Sequence, residues 1–384
     1  MMPFFMHTPL ALSGGDPMQD HAIQERPAEQ DSAPEYDLRQ IDCDPNFWYP
    51  IAWSHKVRPG KAFAARYAGH PIALIRPENG PVYALEDRCA HRQVPLSKGM
   101  VEGDCIKCCY HGWAFDRAGK CVTVPYLNKE GVGRPVKSYP CREKSGLIFV
   151  FPGDPALAET VPLPQIAQVE NPEFKTRRFY PRLKCHYTFM HENLMDMNHQ
   201  FLHRRQMGSI TARFMGQDKG ENFQEARYSF ARKGGNQPLA EALIFGKHRD
   251  IEGQEQPVEE IVSIRTTYPY QTLQIHDKDG DLVMDLWVAY VPLGADQQGT
   301  QTFGLLSVKK PKWGFLLDLA WPVLGIFTNR IFEEDKEVVE LEQKAWRELG
   351  GDHNIEVFPI VKALRALLAR SGVPNANARP LKKG

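Results

Sequence analysis

The sequence predicts an α+β protein in two parts, with a small all-β domain at residues 45–155 and a larger mixed domain at residues 165–375. From Phe47 onward, short apolar runs are separated by turn residues, which is the pattern of short strands. After a proline-rich spacer, longer strand-like runs follow, and the chain ends in segments with helical periodicity. A chain of 384 residues is long enough for two such domains.

Residues 1–36 precede both domains and are predicted to form a disordered leader. They are rich in Pro, Gln, Asp and Ser and lack a hydrophobic period. The first residues are apolar, but no basic start precedes them and Pro3 and Pro9 interrupt them, so no signal peptide is predicted. We therefore expect a cytoplasmic protein.

The charge balance narrows the possible partners. Lys plus Arg and Asp plus Glu each number 47, so the net charge is zero, and no polybasic run marks a nucleic-acid partner. Small-molecule substrates and other proteins are the expected partners. The most apolar stretch, Phe315 to Phe327, contains Asp318 and Pro322 and is too short to span a membrane.

The all-β prediction rests on three apolar runs: Ala73 to Ile75, Val82 to Leu85, and Leu147 to Phe151. Asn79 and Gly80 lie between the first two runs and form a favoured hairpin turn. Prolines at 152, 155, 162 and 164 then fit a domain boundary.

The mixed domain is predicted to open with a helical segment from His186 to Arg204. Four strand-like runs follow, and the pocket is expected among strands between about residues 205 and 310. The runs are Ile261 to Thr267, Thr272 to His276, Leu282 to Val291, and Gln301 to Val308. Helical patterns at Ile331 to Leu349 and Val361 to Ala369 complete the domain.

Two cysteines and two histidines form the first cluster of possible metal ligands. Cys89 and His91 are one short pair, and Cys108 and His111 are the other. Thiolates suit iron–sulfur clusters, and two imidazoles in place of two thiolates raise the reduction potential. The alternative is a structural zinc site, although each pair here mixes Cys with His, which is unusual for zinc.

A second cluster lies in the segment predicted to be helical. His199 and His203 are four residues apart and Asp196 precedes His199 by three, so one helical face would carry all three. Two imidazoles with one carboxylate form the triad of non-haem Fe(II) oxygenases. A zinc protease is excluded because the segment lacks His-Glu-x-x-His. On its own, a histidine pair at this spacing is more often an ordinary surface or core feature.

Together these segments resemble the Rieske non-haem iron oxygenases, the terminal (alpha) subunits of the aromatic ring-hydroxylating and vanillate O-demethylase-like family. The first cluster matches C-x-H…C-x₂-H-G-W, and the second matches N-x-x-D-x-x-H-x₃₋₄-H. Two departures are present. Cys109 stands where the family usually has Pro, and three residues rather than the common four separate His199 from His203. Cys105 and Cys109 are not expected to be ligands.

The resemblance implies two cofactors and O₂ as co-substrate. Cys89 and Cys108 would hold one iron of a [2Fe–2S] cluster, and His91 and His111 the other. His199, His203 and Asp335 would hold a mononuclear Fe(II). Asp335 matches the family's downstream carboxylate ligand, and Glu334 and Glu333 are the other candidates for that ligand. An acidic first turn of a helix would explain the same three residues without a metal.

The resemblance also implies a helix-grip (Bet v1/START-like) catalytic domain and a homotrimer. Asp196 would bridge His199 to His111 of a neighbouring subunit in electron transfer, and Asn193 would lie beside the iron ligands. A separate NAD(P)H-dependent reductase is expected, and a ferredoxin between them is possible. Hydroxylation, demethylation or dihydroxylation of an aromatic or other apolar substrate would follow. The alternatives are a Rieske-type electron-transfer protein and a zinc-binding interaction protein.

Overall fold

A computed structural model describes residues 37–127, 133–232, 250–251, 261–376 and 378. The leader predicted for residues 1–36 lies outside the described residues. The structure confirms the α+β class, with a strand-rich N-terminal part followed by one large, mainly antiparallel sheet and its helices.

Short strands build the N-terminal part, as its apolar runs predict. They are β1 (Ile41–Asp42), β2 (Tyr49–Trp53), β3 (Lys61–Tyr67), β4 (His70–Arg76), β5 (Tyr83–Glu86), β6 (Met100–Glu102), β7 (Cys105–Lys107), β8 (Ala114–Phe115), β9 (Cys121–Thr123), β10 (Ser138–Tyr139), β11 (Cys141–Lys144) and β12 (Leu147–Val150). Their sheets have the orders β10-β5-β4-β3, β11-β12-β2 and β6-β7-β8-β9. The predicted hairpin is present, since β4 and β5 pair antiparallel. Its connection is a six-residue loop at residues 77–82 rather than a two-residue turn. Gly80 lies in this loop with a φ of 154°.

The C-terminal part contains the long strands and the helices. Its strands are β13 (Phe174–Phe179), β14 (Arg182–Leu183), β15 (Ile210–Lys219), β16 (Phe223–Arg232), β17 (Asp250–Ile251), β18 (Ile261–Thr267), β19 (Tyr270–His276), β20 (Leu282–Pro292), β21 (Thr300–Lys309) and β22 (Val373–Pro374). Its helices are α1 (Tyr187–Met195), α2 (Arg204–Met207), α3 (Phe315–Leu349) and α4 (Pro359–Ser371). The main sheet runs β13-β21-β20-β19-β18-β16-β15. The four predicted strand runs correspond to β18, β19, β20 and β21.

Two helix predictions need correction. The segment from His186 to Arg204 is not one helix, because α1 ends at Met195 and a 3-10 stretch, Met197–Phe201, follows before α2. The C-terminal helix begins at Phe315 rather than near Ile331. Its first half carries apolar side chains on its exposed as well as its buried side, so no single hydrophobic stripe reveals its period.

A buried ionic cluster fixes α1 against the N-terminal segment and α4. Arg39 is fully buried and its Nη1 lies 2.6 Å from Oε1 of Glu192 on α1. Arg365 on α4 donates to the same carboxylate at 2.9 Å and also pairs with Asp352. A carboxylate shared between two buried guanidinium groups holds α1 in position. Because α1 also carries Asn193, this cluster helps to position the candidate active site.

Candidate active site

The structure brings His199, His203 and Asp335 together, although long stretches of chain separate them. Nε2 of His203 lies 3.2 Å from Oδ1 of Asp335, and Nε2 of His199 lies 3.7 Å from the same oxygen. One possible ligand atom from each residue lies within 4.8 Å of the others. His203 and Asp335 are buried and His199 is partly buried. Two imidazoles and one carboxylate converging this closely form a donor set that suits Fe(II).

The other ring nitrogen of each histidine already has a partner. Nδ1 of His203 lies 2.8 Å from Oε2 of Glu334, and Nδ1 of His199 contacts the carbonyl oxygen of Asp196. A carboxylate or carbonyl at Nδ1 holds the proton there and leaves the Nε2 lone pair for a metal. The ring orientation therefore fits metal binding through both Nε2 atoms.

The two acidic neighbours on α3 have different surroundings. Asp335 faces both Nε2 atoms, whereas the carboxylate of Glu334 is engaged with the far side of the His203 ring. Burial acts to lower the pKa of His203, but Asp335 and Glu334 outweigh it, and the pKa is raised. The geometry thus separates two residues that the sequence left as rivals.

A break in the chain places the histidines. Asp196 ends α1 in an extended conformation and begins the 3-10 stretch that carries His199. Its Oδ1 accepts hydrogen bonds from the backbone and side-chain nitrogens of Asn198 at 2.9 and 3.0 Å. Asp196 therefore does not share a regular helical face with the histidines. The expected contact between its carboxylate and the ring of His199 is replaced by one through its backbone carbonyl, because the carboxylate caps the 3-10 stretch.

Asn193 lies next to the carboxylate of Asp335. Its Nδ2 donates to Oδ1 of Asp335 at 3.4 Å. This long hydrogen bond comes from α1, and Asp335 lies on α3. Asn193 therefore links the two helices at the point where the three possible ligands meet.

The trio opens into an apolar cavity with a volume of about 140 Å³. The main sheet supplies much of the wall, through residues such as Val262, Leu273 and Leu286. One face of α3 supplies Phe327, Ile331 and other residues, which the sequence interpretation missed. Their spacing of four from each other and from Asp335 is the signal that could have revealed them.

The four residues of the first cluster lie on two loops of matching backbone geometry. In one loop the amide of Cys89 donates to the carbonyl of Val94 at 2.9 Å, and the amide of Gln93 donates to that of Cys89 at 2.8 Å. In the other loop, the amide of Cys108 donates to the carbonyl of Trp113 at 2.8 Å, and the amide of Gly112 donates to the carbonyl of Cys108 at 3.1 Å.

Gln93 and Gly112 both have positive φ, 60° and 70°. The two loops thus share two backbone hydrogen bonds and a positive φ at the same place, although one offers Cys-x-His and the other Cys-x-x-His. This relationship is not visible in the sequence, because the matching positions are occupied by different residue types.

The side chains on these loops suit an iron–sulfur cluster. Cys89 and Cys108 are buried, and burial raises the pKa of Cys89 to about 11, with Cys108 adding to the rise. Two adjacent buried thiols become stable thiolates when a metal compensates their charge. The rings of His91 and His111 lie 4.4 Å apart, and Trp113 stacks on His91 at 4.8 Å.

The cysteines outside the predicted cluster differ from Cys89 and Cys108 in their exposure. Cys109 is exposed and Cys105 is partly buried at the start of β7. Neither needs to be a ligand for the two loops to supply four donors.

Comparisons with known proteins decide the family. Residues 47–140 match the Rieske [2Fe-2S] domain, and residues 183–359 match the vanillate O-demethylase oxygenase C-terminal domain. The 4beta-methylsterol monooxygenase of Methylococcus capsulatus is 31% identical over 86% of this chain and 89% of that protein. The chain belongs to the Rieske non-haem iron oxygenases.

Other relatives agree with this assignment. The oxygenase component of dicamba O-demethylase from Stenotrophomonas maltophilia is 37% identical, over 41% of this chain and 47% of that protein. A crystal structure of dicamba monooxygenase has the same fold, with a TM-score of 0.70 and 24% identity, covering 85% of this chain and 98% of the other.

As a Rieske oxygenase, the chain is a terminal oxygenase and not a bare electron carrier or a zinc protein. The oxygenase C-terminal domain accounts for the second half of the chain, which an electron carrier would not need. Relatives are named as oxygenase components or as subunits of monooxygenase systems, which implies a separate reductase. The Rieske domain implies a [2Fe–2S] cluster, and the family implies iron and O₂.

Proposed function

We propose that this oxygenase binds a mononuclear Fe(II) through His199, His203 and Asp335 and inserts oxygen into an apolar fused-ring substrate of the sterol class. The observation that carries the proposal is the convergence of these three donors at one end of an apolar cavity. The iron would supply O₂ activation, with ligand positions left open by a donor set of only three residues.

The residues of the chain would perform three tasks around that chemistry. Glu334 and the carbonyl of Asp196 hold the Nδ1 protons and so fix both imidazole planes. Asn193 holds Oδ1 of Asp335 and limits its rotation. The apolar walls exclude water and position a C–H bond of the substrate near the three donors.

We propose that Cys89 and Cys108 bind one iron of the cluster and that His91 and His111 bind the other. Buried thiols and paired imidazoles on matching turns support this division. A cluster with two imidazole ligands has a raised potential, which suits an electron relay between a reductase and the oxygenase site. The reductase would be NAD(P)H-dependent, with or without a ferredoxin.

The lining of the cavity supports the substrate class. Among the described residues that line it, the only side chains that carry a charge or an imidazole are His199, His203 and Asp335, and none is Lys or Arg. Such a wall offers no cation to a sulfonate like that in the name of a relative, the toluene-4-sulfonate monooxygenase subunit. It does suit the methylsterol in the name of a relative that matches 86% of this chain. Monooxygenation, as hydroxylation or demethylation, is favoured over dihydroxylation.

We further propose a homotrimer in which Asp196 connects His199 to His111 of the next subunit. Exposed groups at both ends of this route support it. Tyr110, beside His111, is 60% exposed, and Phe201, on the 3-10 stretch with His199, is 72% exposed. Apolar side chains exposed beside two redox sites are expected to be covered by another copy. We keep a cytoplasmic location as part of the proposal.

The test is turnover with a surrogate reductase and NADH against a substrate panel containing a 4-methylsterol, an aromatic sulfonate and an aromatic methyl ether. We expect oxygenated product from the sterol, with O₂ uptake matched to product. Product from the sulfonate but not from the sterol would overturn the substrate class. Metal analysis of the same sample should show about two cluster irons and one further iron per chain.

A further inference from the structure

The first half of α3 exposes an apolar face on the side opposite the cavity. The apolar face consists of Trp313, Phe315, Leu316, Leu319, Val323 and Ile326, all exposed, with Leu319 at 77%. From Leu316 onward the spacing is three, four and three residues, so these side chains form one stripe along the helix. A monomer rarely exposes a continuous apolar stripe of this length without a partner.

The opposite side of the same helix is part of the protein interior. Leu317, Leu324 and Phe327 are buried, and Arg177 of β13 bonds to Thr328 and to Asn329. Within the described ranges α3 is the one helix whose length and composition would allow it to cross a bilayer. A helix held to its own sheet along one side cannot be surrounded by lipid, so it can only lie along a membrane surface.

The charges around the apolar face suit an anionic lipid surface. Exposed basic residues flank it, Lys312 on one side and Arg330 on the other. Its one acidic residue, Asp318, is paired with Lys175. The exposed indole of Trp313 lies at the end next to Lys312, and tryptophan beside a basic residue is typical of the headgroup region.

We infer that the apolar face docks on the surface of a bilayer that contains anionic lipids, with α3 lying in the plane of the interface. Phe327 and Ile331 on the same helix line the cavity. Docking would therefore bring the cavity wall next to the membrane, where an apolar fused-ring substrate is dissolved. The inference that the apolar face binds a membrane does not depend on the proposed function. Only the identity of the substrate dissolved in that membrane rests on the proposed function.

Vesicle flotation tests the inference. Vesicles of three parts phosphatidylcholine to one part phosphatidylglycerol should carry the wild-type holoenzyme, and phosphatidylcholine alone should carry less. The double variant Leu319→Glu with Val323→Glu should lose binding by about tenfold or more, because apolar contact drives insertion. Leu341→Glu is the matched control, since Leu341 is an exposed leucine on the same helix but outside the apolar face, and it should bind like wild type.

Charge reversal tests the electrostatic part. Lys312→Glu with Arg330→Glu should weaken binding to the anionic vesicles and remove most of its salt dependence. The visible spectrum of the cluster should be unchanged in every variant, which shows that the fold is intact. Equal binding of wild type and the Leu319→Glu, Val323→Glu variant would overturn the inference. So would a change in the mass of the assembly in that variant without lipid, because the face would then be a contact between copies.

A second readout uses turnover and separates the two proposals. With a 4-methylsterol in vesicles, the Leu319→Glu, Val323→Glu variant should be slower than wild type by about the factor lost in flotation. With the same sterol supplied in cyclodextrin, both proteins should turn over equally. Flotation without any sterol turnover would contradict the substrate class and leave membrane docking intact. Sterol turnover without flotation would contradict membrane docking and leave the substrate class intact.

Discussion

Nδ1 of His203 lies 2.8 Å from Oε2 of Glu334, on the opposite side of the imidazole from Asp335. Two consecutive acidic residues of one helix thus hold the same histidine from its two nitrogens. One carboxylate faces the place where a metal would bind, and the other orients the ring.

Substitutions of Asp335 and of Glu334 should differ in how much iron and activity they remove. Asp335→Ala should remove the mononuclear iron and abolish turnover, because the third ligand is lost. Glu334→Gln should retain the iron site but weaken its metal affinity or activity by about 10–100-fold, as is usual for residues that orient a ligand. Iron content and product formation measure both. Loss of iron in Glu334→Gln with normal iron in Asp335→Ala would reverse the assignment.

Substitution of two adjacent cysteines should have opposite effects on the spectrum of the iron–sulfur cluster. Cys108→Ser should bleach the visible absorbance and remove the Rieske-type EPR signal, because a buried thiolate ligand is lost. Cys109→Ser is the control, since Cys109 is exposed, and its spectrum should match wild type. Turnover should disappear in the first variant and persist in the second. An unbleached Cys108→Ser protein would contradict the ligand set.

Asp196→Asn should separate electron transfer from metal binding. The amide can still accept the hydrogen bond that caps the 3-10 stretch, so His199 should stay in place. The loss of charge should slow transfer between subunits, and turnover should fall steeply while both metal sites remain filled. Reoxidation of the pre-reduced cluster, with substrate and O₂ present, is the measurement. A wild-type rate would remove Asp196 from the route, and loss of iron would make it a ligand.

Removing the shared carboxylate of the buried ionic cluster should destabilise the protein. Glu192→Ala leaves the buried Arg39 without its carboxylate partner and leaves Arg365 with Asp352 alone. We expect a loss of about 3–5 kcal/mol in the free energy of unfolding. The control is Glu348→Ala, which breaks an exposed pair with Lys344 and should cost about 0–1 kcal/mol. Chemical denaturation measures both. Similar small losses in the two variants would show that the cluster contributes little.

The same cluster predicts a pH dependence. Burial acts to raise the pKa of Asp352, but Arg365 and Arg39 outweigh it, so its pKa in the folded protein lies below the ordinary 3.8. A depressed carboxyl pKa stabilises the fold above the unfolded value, and this contribution is lost as pH falls through the folded value. Asp352→Asn should therefore be less stable than wild type at neutral pH. The difference should shrink below pH 3.8. A difference that stays constant across that range would contradict the charge effect.

The residue types of the candidate ligands and their local spacing were determined by the sequence alone. Cys89, His91, Cys108 and His111 lie within two short segments, and His199 and His203 within one, so neighbouring positions already show the pattern. The hairpin of β4 and β5 was predictable for the same reason, because its two apolar runs and the turn residues between them are neighbours in the chain. The length of its connection, residues 77–82, was not.

Only the tertiary structure decided how distant segments meet. His203 and Glu334 are 131 positions apart, and the choice between Asp335 and Glu334 depends on how α3 packs against the 3-10 stretch. Local periodicity could not reveal the helix break at Asp196, because a side-chain cap replaces the helical bonds there. It also missed the first half of α3, where apolar residues on both faces hide the period. These features arise from contacts between elements, and spacing along the chain does not encode such contacts.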